Sequence, residues 1–589
     1  MDDQQRRLAE ELLFTGKEKP SFAKRLYFGQ FVPEGIFPFP EPTPEEKDQA
    51  DKFLTELKDF ADKNIDGAWI DRHAEIPQSV ISGLGKLGLL GMTIPKEYNG
   101  LGMSQYSYCR AMECVARYCS ATALFGNAHQ SIGLKALLLF GTDKQKEHWL
   151  PILARGENLA AFALTEPNAG SDASAIETRA VYDPSKNVYR INGKKQWITN
   201  GGIAKILTVM ARTEIDTPNG KQDKITAFLV TPDMPGFKVT AASLEKVGMR
   251  GSKTSNLQFE NLEVPAENIL GPIGGGLRVC LTVLDYGRTT FGATCTGAAK
   301  FLKEKAIYHA THRRQFKQPL AAFPLIKKKL ATIAALAYAM EASTYLTAGL
   351  VDSGASDFML ESAILKVFTS ESLWTIIYET MQIYGGRSFF TDEPLERMMR
   401  DGRLNMIGEG ANEVLRAFIG VVGMRDVGVQ LKGIVDALKD PLENYPLFKE
   451  FGKHFWERIQ LPKIPINSYH LEAEGKELAS AIRRFGFAIV RLLQQYREDV
   501  LEKELALDRI ATSAIAIYTT TAVLSKLDSD LARVGNNVKA LGNDVPVGKL
   551  YCRLAMRELD KALGTLFKNN EDKDIEKVSD LLCGIPLRD

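Results

Sequence analysis

The sequence predicts a mainly helical chain with one small β domain inserted between two helical domains, an arm at its start and a further helical bundle at its end. Three observations carry this. Apolar residues recur at three- and four-residue spacing on both sides of residues 161–270, which instead hold short β-branched and aromatic runs between Asn, Gly, Asp and Pro. Prolines gather at 33–42 and again at 441–465, where continuous helix cannot run. At 589 residues the chain has room for three or four domains of about 150 residues each.

Residues 1–45 form the arm. Phe22, Tyr27, Phe28, Phe31, Phe37 and Phe39 stand among Pro33, Pro38, Pro40 and Pro42, so the segment reads as an extended stretch laying aromatics on another surface. Residues 46–160 are the N-terminal helical domain, with Phe53, Leu54, Leu57 and Phe60, then Leu134, Leu137 and Leu138, marking apolar faces around the turn-rich EYNGLG at 97–102. Residues 161–276 are the middle β domain, with strands expected at Val188, Ile206, Ile225 and Leu257. Helical periodicity returns over 277–438. Residues 439–468 are a proline-rich linker around one amphipathic segment, and 469–589 are an extra helical domain whose faces show at Ile482, Phe485, Ile489 and Leu492, then Ile510, Ala514, Ile517 and Leu524.

Composition removes several function classes. Lys+Arg 74 against Asp+Glu 73 leaves a net charge of +1, without the broad basic footprint a nucleic-acid binder presents to phosphates. No apolar run approaches the roughly 20 residues that cross a bilayer. The start, MDDQQRRLAEELLFTGKEKP, lacks the character of a targeting segment, so the expected location is cytoplasmic, of the bacterial type. Seven cysteines without a C-x-x-C pair read as reduced thiols, and the scattered histidines offer no metal site. The glycine-rich stretches 271–276 and 408–413 do not complete G-x-G-x-x-G, and neither a P-loop nor a G-x-S-x-G elbow occurs.

Two segments at the edges of the β domain stand out. Thr165 to Asp172 (TEPNAGSD) and Lys195 to Gly202 (KQWITNGG) place hydroxyls beside turns, which suits the polar edge of a flat heterocycle, with Trp197 able to cover its face. Ordinary turn chemistry is the alternative for each alone. Together with KVGMRGSKTSN (246–256), FENLEVPAENILG (259–271), RRQF (313–316), QIYGG (382–386) and MRDGRLNMIGEGANEVLR (399–416), they give a chain that resembles the acyl-CoA dehydrogenases across residues 46–438. The arm and the extra C-terminal domain, with AVLSKL at 522–527, resemble the very-long-chain branch of that family.

The resemblance implies the family's fold: an N-terminal helical domain, a middle β-barrel or sandwich, a C-terminal four-helix bundle and an additional helical domain. It implies FAD, with Phe162, Leu164, Thr165 and Ser171 along the isoalloxazine and ribityl edge, and Trp197 and Thr199 on the other side. Arg313, Gln315 and Phe316, with Gln382 and Gly386 from the neighbouring subunit, would hold the diphosphate and adenosine, so at least a homodimer is expected. Ala411 and Glu413 fall on further cofactor positions. Glu409 falls on the family's base position, where it would remove the proton α to the thioester as the β hydrogen leaves as hydride; capping a helix that begins near Asn412 is its structural alternative. Some relatives place the base at the position held here by Gly287, which has no carboxylate. Ser171, Asp285, Arg288, Gly408 and Gly410 are the expected substrate contacts, a surface ion pair being the other reading of Asp285 and Arg288.

Three departures mark the chain: Gly408 replaces the family's aromatic, Ala411 its threonine, and Gly385-Gly386-Arg387-Ser388 its G-G-x-G. The function this implies is α,β-dehydrogenation of a long-chain acyl-CoA in fatty acid β-oxidation, with electrons passed to an electron-transfer flavoprotein. A scaffold that has surrendered catalysis, or an oxygen-using acyl-CoA oxidase, are the alternatives. Gly126 and Ala128 are expected to leave the acyl tunnel deep, against Leu124 and Phe125, which would fill it. Leu447, Phe448, Phe451, Phe455, Trp456 and Ile459, among Lys449, Lys453, Arg458 and Lys463, make the linker segment a candidate for peripheral contact with the inner membrane; packing on the C-terminal bundle is the other reading.

Overall fold

A computed structural model describes residues 20–217, 220–437, 459–568 and 570–585. By packing the chain forms two units, one built from residues 40–411 and the other from 19–39 together with 412 onward. Each is described by itself.

The chain opens on α1 (Phe22–Tyr27), which belongs to the second unit. The first unit begins with α2 (Pro44–Asn64), α3 (Gly67–His73) and α4 (Gln78–Leu87). Thr43 starts α2 through a capping box with Glu46, each satisfying an amide the helix leaves unpaired. Then come α5 (Gln105–Tyr118), α6 (Ser120–Asn127), a π-helical turn (Ala128–Gly133), α7 (Leu134–Phe140) and α8 (Asp143–Ala154). Phe53, Leu57, Tyr108, Met112, Val115 and Phe125 bury together as the core of this part.

The β domain supplies β1 (Ala160–Ala163), β2 (Arg179–Asp183), β3 (Val188–Thr199), β4 (Ile206–Thr217), β5 (Gly220–Val230), β6 (Phe237–Ala241), β7 (Thr254–Pro265) and β8 (Ile269–Leu270). Their order is β6-β7-β3-β2-β4-β5-β8, with β1 lying parallel to β4 so that Phe162 pairs Thr208. On β3, Tyr189, Ile191 and Ile198 turn inward while Arg190 and Asn192 face out. The β3–β7 register slips between Lys195 and Ile198, a bulge that places Gln196 and Trp197 out of the ladder.

The helical part resumes with α9 (Gly276–His312), α10 (Pro324–Asp352), α11 (Met359–Tyr384) and α12 (Leu395–Leu404). Helix α9 packs on α5, α10 and α11. Lys300 on α9 reaches Glu113 on α5 at 2.7 Å and Glu341 on α10 at 3.2 Å, and Tyr345 donates to Glu113 at 2.6 Å, so one half-buried ionic knot ties three helices.

The second unit holds α13 (Asn412–Ala437), α14 (Glu472–Tyr496), α15 (Glu504–Arg533), α16 (Asp544–Gly564) and α17 (Asp572–Cys583). Among the described residues α15 is the one helix long and apolar enough to cross a bilayer, and 89% of its most apolar stretch is buried, which makes it the core helix of this bundle. The arm does lay its aromatics on a surface, that of this bundle. Tyr27 packs edge-on to Phe485 with ring centroids 4.9 Å apart and donates to the Ile419 carbonyl at 2.7 Å. It is not wholly extended as expected: Ser21 caps α1, and the prolines come only later. Helix α13, expected within 277–438, groups by its contacts with the second unit, where it meets α15 and α1. Of the residues named for the amphipathic linker segment, only Ile459 and Lys463 lie within the described residues.

Candidate active site

Glu409 sits between two glycines on the turn that follows α12, at φ 56°, a left-handed conformation unusual for a side chain larger than Asn. A non-glycine residue held there needs outside support, and two buried cations supply it. Arg288 Nε approaches the Glu409 carbonyl at 3.4 Å, and Lys366 Nζ donates to the Gly410 carbonyl at 2.6 Å. Arg288 is positioned by Asp285 at 3.2 Å, three residues earlier on the same face of α9, and Asp285 also accepts from Ser362 of α11 at 2.9 Å.

The Glu409 carboxylate finds its hydrogen bond within the first unit. Its Oε1 accepts from Asn127 Nδ2 at 3.3 Å, while its Oε2 is buried with no hydrogen-bond partner. Burial raises the carboxyl to about 7, against the opposing pull of Arg288 and Lys366. A Cβ placed on Gly287 would come within 2.9 Å of Oε2. The two positions at which the resemblance places a base therefore face the same space, and the missing side chain at 287 leaves room for the one at 409.

Asp285 and Arg288 correct one expectation. Both are only 6% exposed, so they are not a surface pair; α9 is covered by neighbours where they sit, and they serve the Glu409 turn. Gly408 and Gly410 flank Glu409 as half-buried positions. A Cβ at Gly408 would meet nothing nearer than Leu404, at ordinary contact distances from 3.6 Å. Ala411 is half-buried at the end of the first unit, and Glu413 is exposed in the first turn of α13 in the second. The Ser388 departure is accommodated locally, since its hydroxyl donates to Gly385 and Met381 within its own turn.

The two β-domain segments are joined at the bulge. Gln196 N–H donates to the Thr165 carbonyl at 2.9 Å, and one turn of ladder away the buried Lys195 donates to the Leu164 carbonyl at 2.9 Å and to Glu166 at 2.6 Å. Burial alone would raise the Glu166 carboxyl, but Lys195 and the Glu177 and Thr178 amides hold it below its ordinary value. Leu164, Thr165 and Thr199 are half-buried, Phe162 is buried on β1 and Ser171 is exposed. Trp197, at φ 59°, keeps 60% of its surface exposed at the sheet's edge. A large aromatic forced outward by a bulge beside half-buried hydroxyls suits the face and edge of a flavin ring.

Arg313 follows the last turn of α9, exposed, and makes no ion pair among the described residues. Gln315 and Phe316 are exposed beyond it, Phe316 at 87%. One turn before Arg313, His309 stacks on Tyr384 with centroids 4.0 Å apart, which brings the end of α9 beside the end of α11, where Gln382 and Gly386 are exposed. An unpaired guanidinium beside exposed aromatic and amide groups fits a diphosphate and a heterocycle. Because both groups occupy one end of a single chain, one subunit would supply them together rather than dividing them.

Sequence reading missed Lys366, Lys195 and Glu166. The signal for Lys366 was a lone lysine inside the apolar run AILKVF, where charge must be either paired or functional. Of the residues expected to bound an acyl tunnel, Leu124 lines a cavity together with Asn127, whereas Phe125 is core and Gly126 faces Met112.

Comparison with known proteins agrees with this architecture. Residues 47–157, 161–262 and 274–423 match the N-terminal, middle and C-terminal domains of acyl-CoA dehydrogenase, and 469–584 match the ACAD9/ACADV C-terminal domain. The chain belongs to the acyl-CoA dehydrogenase family, and it is an FAD-dependent enzyme of that class. It is 38% identical to the very long-chain specific acyl-CoA dehydrogenase, mitochondrial, of Bos taurus, over 87% of this chain and 79% of that protein. It is 32% identical to the probable acyl-CoA dehydrogenase FadE10 of Mycobacterium tuberculosis, over 99% of this chain and 91% of that one. Among solved structures, an acyl-CoA dehydrogenase complexed with FAD from Bacillus anthracis superposes with TM-score 0.78 at 28% identity, covering 94% of each chain. Butyryl-CoA dehydrogenase from Megasphaera elsdenii gives TM-score 0.60 at 34% identity over 64% of this chain and 98% of its own.

Proposed function

We propose that the chain dehydrogenates a long-chain acyl-CoA to the trans-2-enoyl thioester with Glu409 as the base, and that an electron-transfer flavoprotein accepts the electrons. The observation that carries this reading is the Glu409 carboxylate, buried, unpaired at Oε2 and raised to about 7. A base of that basicity suits a weakly acidic α proton better than an ordinary surface carboxylate would. FAD, when bound, takes the β hydrogen as hydride.

The chain's own residues do the rest. Glu409 Oε2 receives the α proton in a dry site. Arg288 and Lys366 hold the Glu409 and Gly410 carbonyls and so pin the turn that carries the Glu409 N–H, which in this reading donates to the thioester oxygen. Phe162, Leu164, Thr165, Trp197 and Thr199 would line the flavin, while Arg313, Gln315, Phe316, Gln382 and Gly386 would hold the diphosphate and adenosine. Purified protein should be yellow and should lose flavin absorbance on anaerobic addition of a long-chain acyl-CoA. Colour that no acyl-CoA bleaches would overturn the dehydrogenase reading in favour of a scaffold, and rapid recolouring in air would favour an oxidase.

A further inference from the structure

A cavity that shares Asn127 with Glu409 mixes apolar walls (Leu124, Met249, Phe291, Ala298, Leu373) with hydroxyl and amide groups that a plain hydrocarbon chain leaves unpaired. Gly287 faces the base, and Phe291, Thr294 and Ala298 continue the same face of α9 into the cavity wall. That stripe runs eleven residues beyond Gly287, about 16 Å at the rise of an α-helix. From α6, Asn127 touches the base and Ser120 lies seven residues further off. Asn405, from the turn after α12, completes the wall beside Cys295, its Nδ2 3.5 Å from the Cys295 Sγ and so about 12 Å along α9 from the base.

Two of these amides leave acceptors unmatched. Asn127 and Asn405 are 1% and 5% exposed, and the Oδ1 of each is buried without a hydrogen-bond partner. A buried acceptor left unpaired is expensive, and a methylene laid against it cannot repair it, nor replace the water such a group would otherwise hold. A hydroxyl can. No cation lines the cavity, so a chain ending in a carboxylate would have no partner there.

We propose that this site selects an acyl thioester whose chain carries a hydroxyl several carbons beyond the reacting pair, the hydroxyl donating to Asn405 Oδ1. The inference rests on the reading of Glu409 as the base of an acyl-CoA dehydrogenase and names the substrate class of that same site. Asn127 lies against Glu409 at the reacting end, which leaves Asn405, farther along α9, as the group that distinguishes chains by what they carry beyond the reacting pair. Sites built to bind a substrate hydroxyl discriminate strongly against its deoxy analogue, because the penalty falls on the site's own unpaired atom.

The test uses the FAD-loaded full-length protein and pairs of acyl-CoAs of equal length, one saturated and one with a hydroxyl stepped along the chain. In wild type, kcat/KM for the best hydroxylated member should exceed that of its saturated partner by about tenfold or more. Asn405→Leu should remove the preference, and chiefly by improving the saturated substrate. The wild-type comparison stands even if that variant folds poorly. Saturated chains oxidised as well as or better than every hydroxylated partner, or a preference unchanged in a folded Asn405→Leu protein, would overturn the proposal while leaving the dehydrogenase reading intact. Failure of both members of every pair to bleach the flavin would sink the two together.

Discussion

Glu409 shows how one residue can trade stability for reactivity. Its carboxyl is raised by burial to about 7, above its value in an unfolded chain, so the folded protein binds that proton more tightly and loses stability as pH rises through 7. The displacement corresponds to about 3 kcal/mol at most, and Glu409→Gln should therefore melt no lower than wild type at pH 8. Activity has the opposite dependence, because only the ionised base accepts a proton: kcat/KM should climb with pH to a plateau above about 7. Lys366 lowers the Glu409 value and pins the adjoining carbonyl. Lys366→Met should move the rising limb to higher pH and reduce kcat more than it changes KM, with FAD content unchanged; a profile superimposable on wild type would remove Lys366 from the account. The position of Glu409 was legible in GEGANEVLR, but its support was not, since Arg288 and Lys366 lie 121 and 44 residues away in sequence from the carbonyls they hold.

At the scale of elements, hydrophobic periodicity was enough to order the helices and place the β domain, because burial of one face dominates both patterns. What it could not show was local irregularity. The β3 bulge that turns Trp197 outward lies in KQWITNGG, a segment read for its hydroxyls and turns, and only the register against β7 reveals it. The arm behaves similarly. Its prolines argued for an extended segment, while Ser21 and a six-residue stretch before them were sufficient to build α1. That helix is locked to α13 by close approach, since a Cβ on Gly423 would fall 2.0 Å from the Tyr27 ring. Gly423→Ala should consequently cost about 1–3 kcal/mol through overpacking, seen as a lower denaturant midpoint of the second unit; an unchanged midpoint would show that Tyr27 is free to move aside.

For the whole molecule, two surfaces bear on its associations. Phe316, Phe389, Phe390 and Leu325 are 65–87% exposed near the ends of the α9–α11 helices, where the resemblance places the subunit contact. The segment from Leu447 to Ile459 carries its apolar residues at helical spacing among lysines, and contact with the inner membrane remains our proposal for it. Wild-type protein should float with anionic liposomes at low salt and Phe451→Glu with Phe455→Glu should not; a wild type that stays at the bottom of the gradient contradicts the proposal. Chain-wide organisation was readable because motif order is linear, whereas the amide-lined cavity was not, since its walls come from residues 120, 294 and 405. The central claim, that Glu409 removes the α proton, is tested most directly by anaerobic stopped-flow bleaching of the FAD-loaded protein by a long-chain acyl-CoA. The account predicts that Glu409→Gln retains its flavin and bleaches at least about a hundredfold more slowly than wild type, whereas bleaching at the wild-type rate would place the base elsewhere.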